Sequence, residues 1–362
     1  MVLLQVAEDE QLAAALADAL AGGPPVTPRA PEVAMTAVRP QLPVTEPGAA
    51  VVVATSGSTG EPKAVVLTGA ALEFSARATH DRLGGPGEWV CALPTHYVAG
   101  LMTVVRSVVA GRGLRFTAPD LSELPNPGER SYLSLVATQL HRALARPEQR
   151  DRLRGYAGVL IGGSAVPDGL REGALAAGIR VVTTYGMSET AGGCVYDGVP
   201  LDGVAVEVDG ERLGLRGPMA FAGYRLRPDL TAQVLDGDLV WTNDRGRIGA
   251  DGRLQVLGRF DDVVISGGEK VDLAAAQRLC DEAVAPGEAS VVLLALPDAQ
   301  WGVRVVAVTT GDWQLDDLVA RLRGQLGRAG LPKELRQVAE LAYTSTGKID
   351  RAALVAAWQD EG

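Results

Sequence analysis

Apolar and polar positions change their period several times along the chain. Residues 51–53, 64–67, 89–93, 158–161 and 180–184 are short runs rich in β-branched side chains and predict strands, whereas 70–82 and 133–146 carry helical spacing. This alternation predicts an α/β domain built on a largely parallel sheet. Ahead of it, residues 8–21 predict a helix. Residues 22–48 hold too many prolines for regular structure and predict an extended surface segment. Beyond about residue 200, "GVAVEVDG" and "LVWTNDRGRIGADGRLQVLGR" are short, turn-rich strands and predict a β-rich lobe. The final stretch, "FDDVVISGGEKVDL" through "SVVLLALPDAQWGVRVVAVTT" to "STGKIDRAALVAAW", offers two strands and two amphipathic helices, enough for a small α+β domain.

Composition narrows the choice of function. A chain of 362 residues, 47% hydrophobic and 22% charged, can bury more than one core, so two domains are expected. The net charge of -10 is spread along the chain without a basic stripe, which argues against nucleic acid as a partner. Cys91, Cys194 and Cys280 are few and widely spaced, so neither a disulfide framework nor a zinc cluster is expected; a reducing, cytoplasmic setting fits. The first residues turn acidic within eight positions and lack a basic flank, which argues against a signal peptide. No run approaches ~18 apolar residues, so no membrane-spanning helix is expected. A homodimer is left open.

The stretch "ATSGSTGEPKAV" places a glycine- and hydroxyl-rich loop between two strands and follows it with Lys63. Small residues let backbone N–H groups converge on an anion, Ser56, Ser58 and Thr59 add donors, and Lys63 adds charge. A triphosphate suits this chemistry, although a plain hairpin connection would use similar residues. The spacing is not that of the common nucleoside triphosphatase loop, because Lys63 follows Gly60 by three positions.

Three further segments follow in order: "TTYGMSET" (183–190), "TNDRGRIGADGRLQVLGRFDD" (242–262) and "STGKIDR" (345–351). With "TSGSTGEPK" (55–63), they resemble the signature segments of the adenylate-forming superfamily of acyl-CoA ligases, peptide-synthetase adenylation domains and luciferases. The resemblance covers about residue 50 to the C-terminus. It implies the adenylate-forming fold: a large N-terminal α/β domain with a β-rich lobe over 1–258, a hinge at 259–261 with Asp261 as the pivot, and a small mobile α+β domain over 262–362. The chain ahead of the phosphate loop is shorter than in that superfamily, so a reduced N-terminal subdomain is expected.

The resemblance also implies substrates and roles. ATP, Mg²⁺ and coenzyme A are the expected partners. Thr55, Ser56, Gly57, Ser58, Thr59, Gly60 and Lys63 would cradle the phosphates, Glu189 would hold Mg²⁺, and Tyr185, Gly186, Met187 and Ser188 would surround the nucleotide. Asp244 would accept from both ribose hydroxyls and Arg259 would add a second ribose or phosphate contact; Asn243 stands where glycine is usual. Lys348 would place its charge at the reacting groups during adenylation, with Glu189 and Lys63 completing the catalytic set. Ser266, Gly267 and Gly268 would line the coenzyme A tunnel.

For the acid, "LPTHYVAGLMTVVRS", "VATQLHRAL", "IGGSAVP" and "YGMSETAGGCVYDGVPL" most resemble ligases that act on o-succinylbenzoate, an aromatic dicarboxylic acid of menaquinone biosynthesis. Arg106 would meet the second carboxylate, with His96 or Tyr97 as a gate and Gly162, Gly163 and Ser188 around the acid. Arg106 could instead face solvent, since the rest of its helix is apolar. Another aryl or short acid, or the loading of a carrier protein, also fits the motifs. A non-catalytic nucleotide-binding relative is disfavoured because Lys63, Glu189, Asp244, Arg259 and Lys348 occur together.

Overall fold

Val51, Val52 and Val53 are fully withdrawn from solvent because both faces of their strand are covered. In a computed structural model that describes residues 2–56, 62–284, 290–344 and 349–360, they lie in the strand Ala49–Ser56. This strand pairs antiparallel with Pro62–Thr68, setting Thr55 opposite Lys63 and Ser56 opposite Pro62. The sheet has five strands, in the order Gln5–Ala7, Val26–Pro28, Ala49–Ser56, Pro62–Thr68 and Gly223–Tyr224. Residues 51–53 and 64–67 thus form a hairpin in a mixed sheet, not two members of one parallel sheet.

The proline-rich stretch is more ordered than expected. Val26–Pro28 is a buried strand parallel to both Gln5–Ala7 and Ala49–Ser56, and Glu32–Val38 is a short helix. The prolines stand where a missing N–H is tolerated: Pro28 ends its strand and Pro31 precedes the helix. Arg225 fastens the segment that follows. Its side chain is wholly buried, Nε donates to the Val38 carbonyl at 2.6 Å, and Nη2 donates to the Leu42 carbonyl at 2.6 Å.

A second sheet has seven strands, and five of them run parallel in the order Leu114–Phe116, Glu88–Cys91, Ser131–Leu135, Gly158–Ile161 and Val181–Met187. The expected helix 133–146 therefore begins late. Leu133 and Leu135 belong to a central strand buried on both faces, and the helix covers only Ala137–Leu144. Apolar runs of this kind do not distinguish a buried strand from a buried helical turn. The last parallel strand turns back on itself, because Gly192–Tyr196 pairs antiparallel with Val181–Met187. Helices Gly69–Leu83 and Val98–Ala110 pack together, and Thr68 caps the first by accepting from the Ala71 N–H at 3.1 Å.

The chain divides into two compact units, Met1–Thr242 with Ile248–Leu254, and Asn243–Arg247 with Gln255–Gly362. Residues 243–247 and 255–258 group with the second unit, ahead of the 259–261 segment. In that unit Val291–Asp298 pairs antiparallel with Gly302–Thr309, and Leu335–Gln337 adds a parallel strand. Alternate side chains fill two cores: Val291, Leu293, Val305 and Ala307 face helices Leu273–Ala283 and Leu315–Leu322, while Val292, Leu294, Val306 and Val308 face Trp358. Among the described residues no helix is long and apolar enough to cross a membrane, and the three cysteines are free and buried.

Replacing Arg225 with alanine would deprive the buried Val38 carbonyl and the partly buried carbonyls of Arg39, Leu42 and Pro43 of this donor. Urea unfolding of the full chain should show the large unit destabilised by about 3 kcal/mol. Limited proteolysis should then open the chain first between residues 29 and 48. Unchanged protection of that stretch would refute the fastening role.

Candidate functional site

The Ala49–Ser56 and Pro62–Thr68 hairpin delivers Thr55 and Lys63 to one end of its sheet. Gly57, Ser58, Thr59 and Gly60 lie outside the described residues, as does Lys348. Lys63 Nζ rests 5.3 Å from the centre of the Tyr224 ring, within cation–π range.

Tyr185, Gly186 and Met187 end the strand Val181–Met187, and Ser188–Thr190 forms a single 3₁₀ turn. Gly186 pairs with Gly193, has φ of +157°, and leaves no room for a side chain: a Cβ there would collide with the Gly192 carbonyl oxygen. Thr190 locks the turn, since its buried hydroxyl accepts from the Met187 N–H at 3.0 Å and donates to the Gly192 carbonyl at 2.8 Å. Glu189 stands on this turn. Its Oε1 accepts a 2.6 Å hydrogen bond from the Tyr224 hydroxyl, and its carbonyl accepts from the Phe221 N–H at 2.9 Å. Burial and then the charge of Glu189 push the Tyr224 phenol well above its ordinary pKa, so it remains a donor. Gly162 and Gly163 follow the strand Gly158–Ile161, at the carboxyl end of the parallel strands where α/β sheets bind ligands.

Arg106 is buried, only 4% exposed, and does not face solvent. Its guanidinium lies 5.1 Å from the Trp89 ring centre, and Nη2 reaches the Tyr196 hydroxyl at 3.4 Å. Nε has no hydrogen-bond partner, and no carboxylate pairs with this arginine among the described residues. A Cβ on Gly192 would lie 3.9 Å from Nη2, and Gly192 pairs with Met187, which places the cation one strand behind the "YGMSE" segment. Around it, Tyr196 and Thr79 share a 2.8 Å hydrogen bond, and Trp89 Nε1 donates to His80 Nε2 at 3.1 Å. Burial, and next the charge of Arg106, lower the His80 pKa to about 4, so the ring is a neutral acceptor at neutral pH. His96 and Tyr97 precede the helix Val98–Ala110 with their ring centres 4.3 Å apart, and burial lowers the His96 pKa.

The remaining candidates belong to the second unit. Arg259 forms a fork on Asp261 (2.8 and 2.9 Å) and reaches Asp244 at 3.3 Å, so the expected ribose carboxylate, the second contact and the expected pivot form one ionic group. Gly267 and Gly268, with φ of +57° and +83°, make the two-residue turn of the hairpin Val263–Ser266 and Glu269–Asp272. Ser266 is buried, and the Gly267 N–H donates to the Trp301 carbonyl at 2.8 Å.

Sequence reasoning missed Tyr224, Tyr196, Trp89 and His80. Each lies outside the quoted glycine-rich motifs or reads as an ordinary core aromatic, and only packing brings it to the site.

The arrangement can hold a nucleotide and an acid: a cationic hairpin, a carboxylate on a rigid turn, and a buried guanidinium behind them. The AMP-binding enzyme profile matches residues 4–256, and the chain belongs to that family. It is 43% identical over 330 residues to the probable 2-succinylbenzoate–CoA ligase of Mycobacterium tuberculosis (strain H37Rv), covering 84% of each chain. Against the 2-succinylbenzoate–CoA ligase of Escherichia coli K12 it is 32% identical over 311 residues, covering 83% of this chain and 67% of that protein. Among solved structures, a variant of E. coli MenE with bound OSB-AMS superposes with a TM-score of 0.80 at 26% identity, covering 100% of this chain and 89% of the other. The o-succinylbenzoate CoA synthetase of Bacillus subtilis, in complex with the acyl-adenylate intermediate OSB-AMP, gives 0.73 at 25% identity, covering 86% and 69%. The fold is that of the adenylate-forming enzymes.

The His80 environment has a measurable consequence. Because its folded pKa is depressed from 6.5 to about 4, its share of stability is full above pH 6.5 and is lost as pH falls towards 4. That share is about 3 kcal/mol. Urea unfolding between pH 7 and 4.5 should therefore show a shallower acid decline in His80→Gln than in the wild type; parallel curves would refute the neutral, buried assignment.

Proposed function

We propose that the protein is an ATP-dependent acid–thiol ligase that joins o-succinylbenzoate to coenzyme A through an acyl-adenylate, releasing AMP and diphosphate, in menaquinone biosynthesis. The observation that carries the choice of acid is Arg106. A guanidinium buried without a counter-charge is costly, and a substrate carboxylate arriving from the "YGMSE" side would supply the missing anion. A fatty acid would bring no second carboxylate to meet it.

Adenylation brings a carboxylate against the α-phosphorus of ATP, so two anions must be held together and the reaction depends on positioning and charge. Lys63, at the end of the phosphate hairpin, supplies fixed positive charge. Tyr185, Gly186, Met187 and Ser188 bind the nucleotide, and Asp244 and Arg259 bind its ribose side. Glu189 is a lone hard carboxylate; among the described residues no group of three His, Cys, Asp or Glu could hold a metal. That donor set fits Mg²⁺, which takes most of its ligands from phosphate and water. When bound, Mg²⁺ would neutralise phosphate charge. Lys348 adds its charge at the reacting carboxylate in this first half-reaction. For the second, the domain turning at Asp261 withdraws Lys348 and presents the Ser266, Gly267 and Gly268 turn to the pantetheine arm, where side-chain-free backbone permits close approach.

ATP–diphosphate exchange driven by a panel of acids tests the assignment: o-succinylbenzoate should support exchange best, and preference for a monoacid would overturn it. Lys348→Ala should lower adenylation by orders of magnitude while sparing thioester formation from supplied acyl-adenylate; equal loss of both steps would remove its assigned role.

Arg106→Ala should cost about 2–4 kcal/mol in kcat/KM for o-succinylbenzoate, with KM for ATP hardly changed. An analogue without the ring carboxylate should be poor for the wild type and lose little more in the variant, closing a cycle between residue and substrate group. Equal losses for both acids would reduce Arg106 to a structural residue.

A further inference from the structure

Three segments far apart in sequence meet at one phenol. Tyr224 sits on the edge strand Gly223–Tyr224, which pairs antiparallel with Pro62–Thr68 and sets Tyr224 opposite Val65. Its ring lies edge-on to Phe221 at 5.0 Å and is 9% exposed, and its N–H donates to the Thr231 hydroxyl at 2.9 Å. The backbone of the same segment grips both neighbours: the Ala222 N–H donates to the Val66 carbonyl, and the Phe221 N–H to the Glu189 carbonyl, each at 2.9 Å. The phenol is therefore held rigidly between the phosphate hairpin and the turn that carries Glu189.

We propose that Tyr224 is a positioning residue that fixes Lys63 and the Glu189 carboxylate relative to one another before the magnesium nucleotide arrives. The inference rests on the reading of Lys63 and Glu189 given above. A 2.6 Å hydrogen bond to a carboxylate is a strong, directional one, and it occupies Oε1 while leaving the other oxygen for a cation. The ring beneath Lys63 holds the ammonium on the same phenol by its face. A buried tyrosine does not need a carboxylate to satisfy its hydroxyl. In this protein Tyr132 donates to the Leu83 and Gly85 carbonyls and Tyr156 to the Pro125 carbonyl. Tyr224 differs in bonding the acidic side chain that the reaction requires.

Two substitutions separate the hydroxyl from the ring. Tyr224→Phe keeps the packing and deletes the bond to Glu189, and Tyr224→Leu also removes the aromatic face. ATP binding to the full chain is measured calorimetrically with Mg²⁺ and with EDTA, alongside thermal unfolding. For Tyr224→Phe the gain in ATP affinity conferred by Mg²⁺ should shrink about 10-fold, with affinity in EDTA and the unfolding temperature little changed. Tyr224→Leu should weaken binding in EDTA as well, because Lys63 loses its support. In a Glu189→Gln background, Tyr224→Phe should add little. A full magnesium gain in Tyr224→Phe, or a uniform loss of affinity that tracks lowered thermal stability, overturns the positioning role. A wild type whose ATP affinity ignores Mg²⁺ overturns the reading of Glu189, and the proposal with it.

Discussion

The antiparallel pairing of Ala49–Ser56 with Pro62–Thr68 is the constraint on which the nucleotide end of the molecule depends. Its valines are buried on both faces of the strand, and the pairing sets Thr55 opposite Lys63. The edge strand that adds to this hairpin ends at Tyr224, and Arg225 follows directly after it. One of these residues ties the hairpin to the Glu189 turn and the other fastens the chain at 38–43, so two distant tethers leave from adjacent residues.

Charge burial is the second organising feature. Arg225 and Arg106 are both withdrawn from water, but their surroundings differ. Arg225 is met by carbonyls and lies 3.8 Å from Glu46, so its charge is answered within the fold. Arg106 is met by an aromatic face, a long contact to a neutral hydroxyl and a neutral His80 nearby, none of which carries negative charge. A fold tolerates such a site only if surrounding packing holds it. Arg225 is thus neutralised within the fold, whereas Arg106 meets no carboxylate among the described residues.

The second unit keeps its own ionic group. Arg259 hydrogen-bonds both Asp244 and Asp261, so a single guanidinium joins the two carboxylates.

Local chemistry was legible in the sequence. Four motifs identified the superfamily and the α/β class followed from alternating periods, while the structure shows that Gly186, Gly267 and Gly268 hold backbone conformations or close approaches that side chains forbid. Where the reading failed, two local patterns were ambiguous: 133–135 is a strand because it is buried on both faces, and 26–28 is a strand because its neighbours supply hydrogen bonds that prolines do not exclude. The sequence favoured an inward Arg106 while leaving a solvent-facing one open, and burial decided between them; the meeting of Lys63, Glu189 and Tyr224 was not available, since residues 63, 189 and 224 are joined by no sequence period. The sequence by itself determined which chemical groups the protein owns and which backbone shapes it can take, because those depend on neighbours in the chain. Only the tertiary structure decided which groups share a dielectric environment and a hydrogen bond, because burial and partnership arise from packing between segments far apart in sequence.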